Sequence, residues 1–486
     1  MSKIVLLSLF MLTGFLGYSQ MKNGGFESRN TAYPDSLPGW SFKGKPGFHV
    51  SLDDKIKFEG YSSLKISGDK IDAGQFQSFS QEIAVEGNSV QRKLISCYIK
   101  TADVMAKIGV WCQVWDEKDK VIGFESFDTQ NIVIHGTTDW KKYTLPITVL
   151  EGAKKIVVGG FLMGNGLVWF DDFHVDEMQT MSIPPSAEVV KYIYEFNGVI
   201  KKNSIYKDSL DWKRINRDIS ALSNGLQTIS DARVLTDYMI RELRKVGDNH
   251  SFIQKKTQTQ ASATGASPEK PITKLLENGI GYIMVPGFSS AHYPSMLEFA
   301  TTIQNQIKKL DEENDIKGWI VDLRTNTGGN MHPMIAGLGP LLREGDLGYF
   351  INGDRNRKKR QRWYYKEGRE GIDKGTNVRL NSYYKLKDSK NKIAVLISNR
   401  TCSSGEMTAI SFIGAHNTRL FGEPSGGYVT ANSTFWLSDG ATLLLATGFV
   451  SDTNKKKYLK RIIPDVMVRS DNDTDLVLKA AEEWLR

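Results

Sequence analysis

Residues 393–406 read Ile-Ala-Val-Leu-Ile-Ser-Asn-Arg-Thr-Cys-Ser-Ser-Gly-Glu. An apolar strand, 393–397, runs into a polar turn that delivers Ser403, Ser404 and Gly405 to a helical pattern over 406–413. A serine hydroxyl at a strand-to-helix turn can act as a nucleophile if backbone N–H groups beside it hold the oxyanion formed on attack. The same residue types also cap helices without any chemistry. Residues 318–329, Gly-Trp-Ile-Val-Asp-Leu-Arg-Thr-Asn-Thr-Gly-Gly, repeat the plan: an apolar strand and then a turn with Gly328 and Gly329. Glycine lets bare backbone amides approach a ligand where a Cβ would clash. Two such strand ends side by side would form an oxyanion cradle; the plain alternative is a tight turn.

Taken together, the segments resemble the tail-specific (C-terminal processing) and tricorn-type serine peptidases. The matching motifs are Asp-Leu-Arg-x-Asn-x-Gly-Gly at 322–329 and Ser-x-x-Glu at 403–406, with further matches at 280–288, 421–424 and 463–466, all in the family's order. The resemblance covers about residues 190–486. It implies Ser403 as nucleophile, with backbone amides of Ser404 and of Gly328 or Gly329 as oxyanion donors. It also implies peptide or unfolded protein as substrate and no catalytic cofactor.

The family's two branches differ in the general base. The tail-specific branch places a lysine after Gly-Glu-Pro; here that position is Tyr428, and a phenol is a poor base at neutral pH. The tricorn-like branch places a histidine in a Gly-Asp-x-His-Ser pattern, matched here by Gly247-Asp248-Asn249-His250-Ser251. Apolar residues at helical spacing (Leu235, Met239, Ile240, Leu243, Val246) precede it, and Gly247 ends that helix. An imidazole suits proton abstraction near neutral pH, so His250 is the expected base and His332 the reserve.

The residue orienting His250 is left open. The tricorn pattern has a serine where Asn249 stands, and a late glutamate that residues 458–465 lack. Glu406 and Asp248 are the nearest candidates. Cys402 is an alternative nucleophile by position only. A second reading of the whole chain is an inactive peptidase fold that binds a hydrophobic ligand or glycan.

Residues 21–178 show short alternating runs at 63–66, 94–100, 107–114, 142–147, 155–162 and 168–175, separated by turn residues. That pattern predicts an all-β sandwich. The motifs at 23–27, 38–40 and 166–173 resemble jelly-roll carbohydrate-binding and galactose-binding-like modules, which implies paired first and last strands. It also implies a structural calcium at Glu27 and Asp171 or Asp172, and glycan as a partner. Trp111 and Trp115 share one strand face with Gln113 between them.

The expected organisation is therefore multidomain. A jelly-roll sandwich is followed by an α/β (α+β) tail-specific-protease-like catalytic domain with a helical N-terminal subdomain. The boundaries are 1–20 signal peptide, 21–178 sandwich, 179–255 helical subdomain, 256–272 flexible linker and 273–486 peptidase core. The linker is too short for a PDZ domain.

Residues 1–20 carry Lys3, an apolar middle and small or polar residues, as in a secretory leader; an uncleaved anchor is the alternative. Export to the periplasm or outside follows, with no stable membrane span once the leader is cut. The formal charge of +8 over 486 residues is too mild to argue for nucleic acid. The basic stretch 355–366 reads as a hairpin tip. Three cysteines, Cys97, Cys112 and Cys402, leave a pairing of the first two open. No histidine or cysteine spacing suggests a catalytic metal.

Overall fold

Alternation decides the front half. Along Lys107–Asp116, Val110, Cys112 and Val114 are buried while Trp111, Gln113 and Trp115 point the other way. Repeated over ten strands, this pattern gives each sheet an apolar face that only another sheet can cover. In the computed structural model the described residues are 21–29, 37–44, 46–72, 74–178, 183–256, 269–352, 360–415, 417–469 and 474–486. The expected leader lies outside them, as do most of the expected linker and the tip of the basic hairpin. The described chain divides into two compact units, one of residues up to 185 with 216–226, the other of 186–215 with 227–486.

The first unit is a sandwich of two five-stranded antiparallel sheets. Strand order is 41–44, 76–84, 153–163, 107–116, 121–126 in one sheet and 48–53, 63–68, 166–177, 91–104, 136–149 in the other. Phe26, Phe79, Phe170 and Phe173 meet edge-on or tilted in its core with Trp40. The first and last strands do not pair as expected. The opening segment instead joins the last strand through Phe173 N–H donating to the Gly24 carbonyl. Cys97 and Cys112 lie on strands of different sheets, both free and buried in that core, so they pack rather than bond.

In the second unit, strands Ile280–Met284, Gly318–Asp322, Lys392–Ile397, Thr418–Gly422 and Val466–Met467 run parallel, with Ile272–Leu276 antiparallel at the edge. Every residue of 318–322 and 393–397 is buried. Such unbroken apolar runs are what a parallel sheet covered on both faces requires. Trp319, Val321 and Val395 pack with the helix Tyr293–Glu313, while Ile320, Ala394 and Leu396 pack with the C-terminal helix Leu476–Leu485. A second, antiparallel sheet contains Phe252–Gln254, Thr442–Ser451, Gly345–Asn352 and Arg360–Lys366, with Thr430–Trp436 on Thr442–Ser451. Gly345–Asn352 and Arg360–Lys366 pair as the hairpin arms that the basic stretch suggested. Helices Ala187–Asn203 and Arg233–Lys245 precede this unit's sheets, the first capped by Ser186, whose Oγ accepts from Val189 N–H.

Candidate active site

Parallel register puts the two glycine- and serine-bearing turns side by side. Gly318 pairs with Lys392 and Asp322 with Leu396, so both strands end together at the carboxyl edge of the sheet. Open α/β sheets bind their ligands at that edge. Leu323 N–H donates to the Leu396 carbonyl, Thr401 Oγ1 to the Leu323 carbonyl and Ser398 Oγ to the Arg324 carbonyl. Cys402 N–H then donates to the Asn326 carbonyl at 3.0 Å. Asn326 is wholly buried; its Nδ2 donates to the Val285 and Pro286 carbonyls, and its Oδ1 accepts from Gly328 N–H at 2.9 Å. Asn326 therefore ties three segments together.

Ser403 begins the helix Ser404–Ile410 with φ 52° and ψ −117°. For a non-glycine residue this is a strained geometry, costing about 1–3 kcal/mol and characteristic of nucleophile turns. Its amide donates to Glu406 Oε2 at 2.8 Å, so the backbone is held while the half-buried side chain stays available. Ser404 Oγ donates to the Gly329 carbonyl at 2.8 Å and joins the two turns. Among the described residues the amides of Ser404 and Gly329 have no hydrogen-bond partner, whereas Gly328 N–H is taken by Asn326. Of the three donors expected from sequence, Ser404 and Gly329 are thus available to an oxyanion.

Gly328 has a steric role instead. At φ +102°, a Cβ there would lie 2.9 Å from Ser403 Cβ and 2.8 Å from the Cys402 carbonyl oxygen. Gly328→Ala is expected to lower kcat/KM by about 10–100-fold and stability by about 1–2 kcal/mol, because both backbone strain and the clash push the Ser403 turn aside. Peptide hydrolysis and urea denaturation of the variant check this.

His250 follows the turn after Arg233–Lys245, and the strand Phe252–Gln254 beyond it pairs with residues 442–444 of Thr442–Ser451 in register Phe252↔Leu444. Thr430–Trp436 pairs with the same strand, Asn432 opposite Ala446. That shared partner brings Thr430 to His250. His250 Nε2 lies 2.9 Å from Ser403 Oγ; Nδ1 lies 3.0 Å from the Thr430 carbonyl and 2.9 Å from Thr430 Oγ1. A carbonyl only accepts, so Nδ1 carries the proton and the Nε2 lone pair faces the serine hydroxyl. Burial of the ring, 7% exposed, drives its pKa down to about 4, opposed by the smaller effect of the Thr430 carbonyl.

The candidates for orienting His250 act elsewhere. Glu406, wholly buried, accepts from Ser403 N–H, Ser425 Oγ, Gly427 N–H and Tyr428 N–H, fixing the nucleophile turn against the 425–428 loop. Burial raises its pKa above the ordinary carboxylate value despite those four donors. Asp248 accepts from His250 N–H, Ser251 N–H and Ser251 Oγ and so shapes the backbone of the turn rather than touching the ring; burial raises its pKa too. Asn249 is exposed. The imidazole's partner is Thr430, 180 residues away in sequence, which no local motif marks.

Tyr428 sits edge-on to the His250 ring, centroids 5.6 Å apart. His332 bonds Glu370 at 2.9 Å and Asn377 at 3.1 Å rather than Ser403. Burial raises the Cys402 thiol pKa, which disfavours a thiolate nucleophile.

In the first unit, of the carboxylates named for a structural calcium, Glu27 and Asp171 lie near each other beside Gly25, while Asp172 turns away. Asp171 accepts from the amides of Phe58, Glu59 and Asp172, and Glu27 from that of Tyr61. Asp172 turns to His174 Nε2 at 2.6 Å. Burial pushes the Asp171 carboxyl up to about 6, with Glu27 adding to it. Among the described residues no group of three or more His, Cys, Asp or Glu is placed to hold a metal. Asp171 thus ties the 58–61 loop to the last strand, and Glu27 ties it to the opening segment.

Residues 279–468 match the family model for peptidase family S41. The chain is 29% identical over 336 residues to a nisin-resistance protein of Lactococcus lactis subsp. lactis, spanning 68% of this chain and 95% of that one. The solved structure of a lipoprotein from Streptococcus agalactiae is 28% identical, covers 62% of this chain and 97% of its own, and has a TM-score of 0.49. Over the front half, a xylan-binding domain from Paenibacillus barcinonensis covers 33% of this chain and 95% of its own at 14% identity and a TM-score of 0.23. Among the described residues no helix is long and apolar enough to cross a membrane.

Proposed function

We propose that this chain is an exported serine peptidase in which Ser403 is the nucleophile and His250 the general base. The carrying observation is the 2.9 Å approach of His250 Nε2 to Ser403 Oγ with Nδ1 bonded to Thr430. In this reading His250 takes the serine proton as Oγ attacks the peptide carbonyl. The amides of Ser404 and Gly329 hold the oxyanion. The proton then passes to the leaving amine, and water attacks the acyl-enzyme in the mirror of the first step. Thr430 keeps the productive tautomer through both halves. The match to peptidase family S41 and the nisin-resistance relative support a peptide substrate, with nisin itself as one to try.

The front sandwich in this reading holds the enzyme near glycan. Trp40 and Trp169 are committed to buried contacts, and Lys155 lies over Trp115. Trp111 has no ring contact among the described residues and shares its face with Gln113.

The test is labelling by a fluorophosphonate probe. His250→Ala is expected to lower the labelling rate by about 10²–10⁴-fold. In the wild type the rate should stay near its plateau at pH 5.5, because an imidazole with a pKa of about 4 is still neutral there. A base of ordinary pKa would have lost about nine-tenths of its activity at that pH. No labelling of the folded wild type would sink this assignment, whereas a half-point near pH 6.5 would mean that burial does not depress the imidazole pKa. The same shift bears on stability. The unfolded chain takes up this proton first, so stability is full above about pH 6.5 and declines as the pH falls toward 4.

A further inference from the structure

His250 is held by its main chain as well as by its ring. Its N–H donates to Asp248 Oδ1 at 3.1 Å, within the turn that precedes it. Its carbonyl accepts from Asn432 Nδ2 at 2.8 Å, a contact across 182 residues of chain. A carbonyl only accepts, so the chemistry fixes which end of the amide faces it. Asn432 Oδ1 is left buried without a partner. An unpaired buried oxygen destabilises a fold, and asparagine is a poor strand former. The Nδ2 bond is what this side chain supplies and a valine or threonine would not.

Register explains how Asn432 reaches the histidine. Along Thr430–Trp436, Ala431 pairs with Gly448 and Asn432 with Ala446, so Thr447 has no residue opposite it. A bulge of this kind re-aims the side chains beside it. Thr447 Oγ1 meets Ser433 Oγ at 2.7 Å across the bulge. Ala446, the cross-strand partner of Asn432, gives its N–H to Ser251 Oγ at 2.9 Å. One rung of the sheet thus grips His250 and the residue after it. Two residues before Asn432, Thr430 takes the imidazole Nδ1. Ring and main chain of His250 are therefore fixed to the same short strand. The loop ahead of that strand is bonded through Gly427 and Tyr428 to Glu406, whose carboxylate also holds the Ser403 amide. An imidazole held only at Nδ1 would follow any drift of its own Cα.

We infer that Asn432 is a positioning residue for His250: its Nδ2 bond pins the His250 carbonyl and so keeps Nε2 within reach of Ser403 Oγ. This rests on Ser403 as nucleophile and His250 as base.

The test follows fluorophosphonate labelling of the full chain over a range of probe concentrations, for wild type, Asn432→Ala, Asn432→Asp and His250→Ala. Asn432→Ala should lower the maximal labelling rate about tenfold or more and change the half-saturating concentration by less than about twofold, because a small misplacement of the base slows the chemical step and leaves probe binding alone. Asn432→Asp keeps the volume and carries the test if the alanine variant fails to fold. Ionised, its carboxylate cannot donate to the His250 carbonyl; protonated, its hydroxyl can. Its maximal rate relative to wild type should therefore be about tenfold down at pH 9 and within about threefold at pH 6. A side chain that only filled space would give a ratio that does not move with pH. With His250→Ala slow, the inference is overturned by a folded Asn432→Ala within about threefold of the wild-type maximal rate, by a loss confined to half-saturation, or by a pH-independent Asn432→Asp ratio. Labelling of His250→Ala at the wild-type rate removes the base itself, and this inference with it.

Discussion

Ser403→Ala is expected to lower peptide hydrolysis by about 10⁴-fold or more, with fluorophosphonate labelling lost altogether. The hydroxyl 2.9 Å from His250 Nε2 is the group that base can deprotonate. Removing it leaves the Ser404 and Gly329 amides with no attacking atom to serve. A companion variant separates chemistry from fold. Ser403 adopts φ 52°, which an L side chain tolerates poorly, so Ser403→Gly should be as inactive as the alanine variant yet more stable than wild type by about 1 kcal/mol. Urea denaturation beside turnover measures both. Retained turnover in Ser403→Ala would remove the serine from the mechanism. A less stable Ser403→Gly would mean the turn is not strained.

Glu406→Ala should cost more stability than any other single change at this edge of the sheet, about 4 kcal/mol or more. Four donors converge on that carboxylate: the amides of Ser403, Gly427 and Tyr428 and the Ser425 hydroxyl. Alanine would leave all four buried or half-buried without an acceptor. Turnover should fall with it, since the Ser403 amide and the loop carrying Tyr428 beside His250 lose their common anchor. Glu406→Gln keeps the shape but replaces one acceptor oxygen with a donor. It is expected between the alanine variant and wild type in both measures. Chemical denaturation together with kcat/KM checks this, and an alanine variant within about 1 kcal/mol of wild type would show that the network is dispensable.

The structure also reassigns roles within the set of residues that the motifs marked. Glu406 and Asp248 stood as candidates to orient His250, and each is instead committed to backbone amides of its own turn. Tyr428 holds the position where a tail-specific enzyme has its lysine, and it meets the imidazole edge-on rather than the serine. Gly328, grouped with Gly329 as a donor, spends its amide on Asn326 and serves by having no side chain.

What the sequence by itself determined is local. Strand, turn and helix follow one another within 393–410 and 318–337, so periodicity and turn residues mark Ser403, Gly328 and Gly329 at strand exits. His250 is marked in the same way, by a helix ending at Gly247. The alternating runs of the front half announce a sandwich for the same reason: burial on one face imposes a period of two.

Only the tertiary structure decided which groups meet. Thr430 reaches His250 because Phe252–Gln254 and Thr430–Trp436 both pair with Thr442–Ser451, a coincidence of register across 180 residues. Asn326 becomes an anchor because parallel strands 318–322 and 392–397 end level. Chain-distant contacts of this kind depend on strand register and close packing, which no window of neighbouring residues encodes.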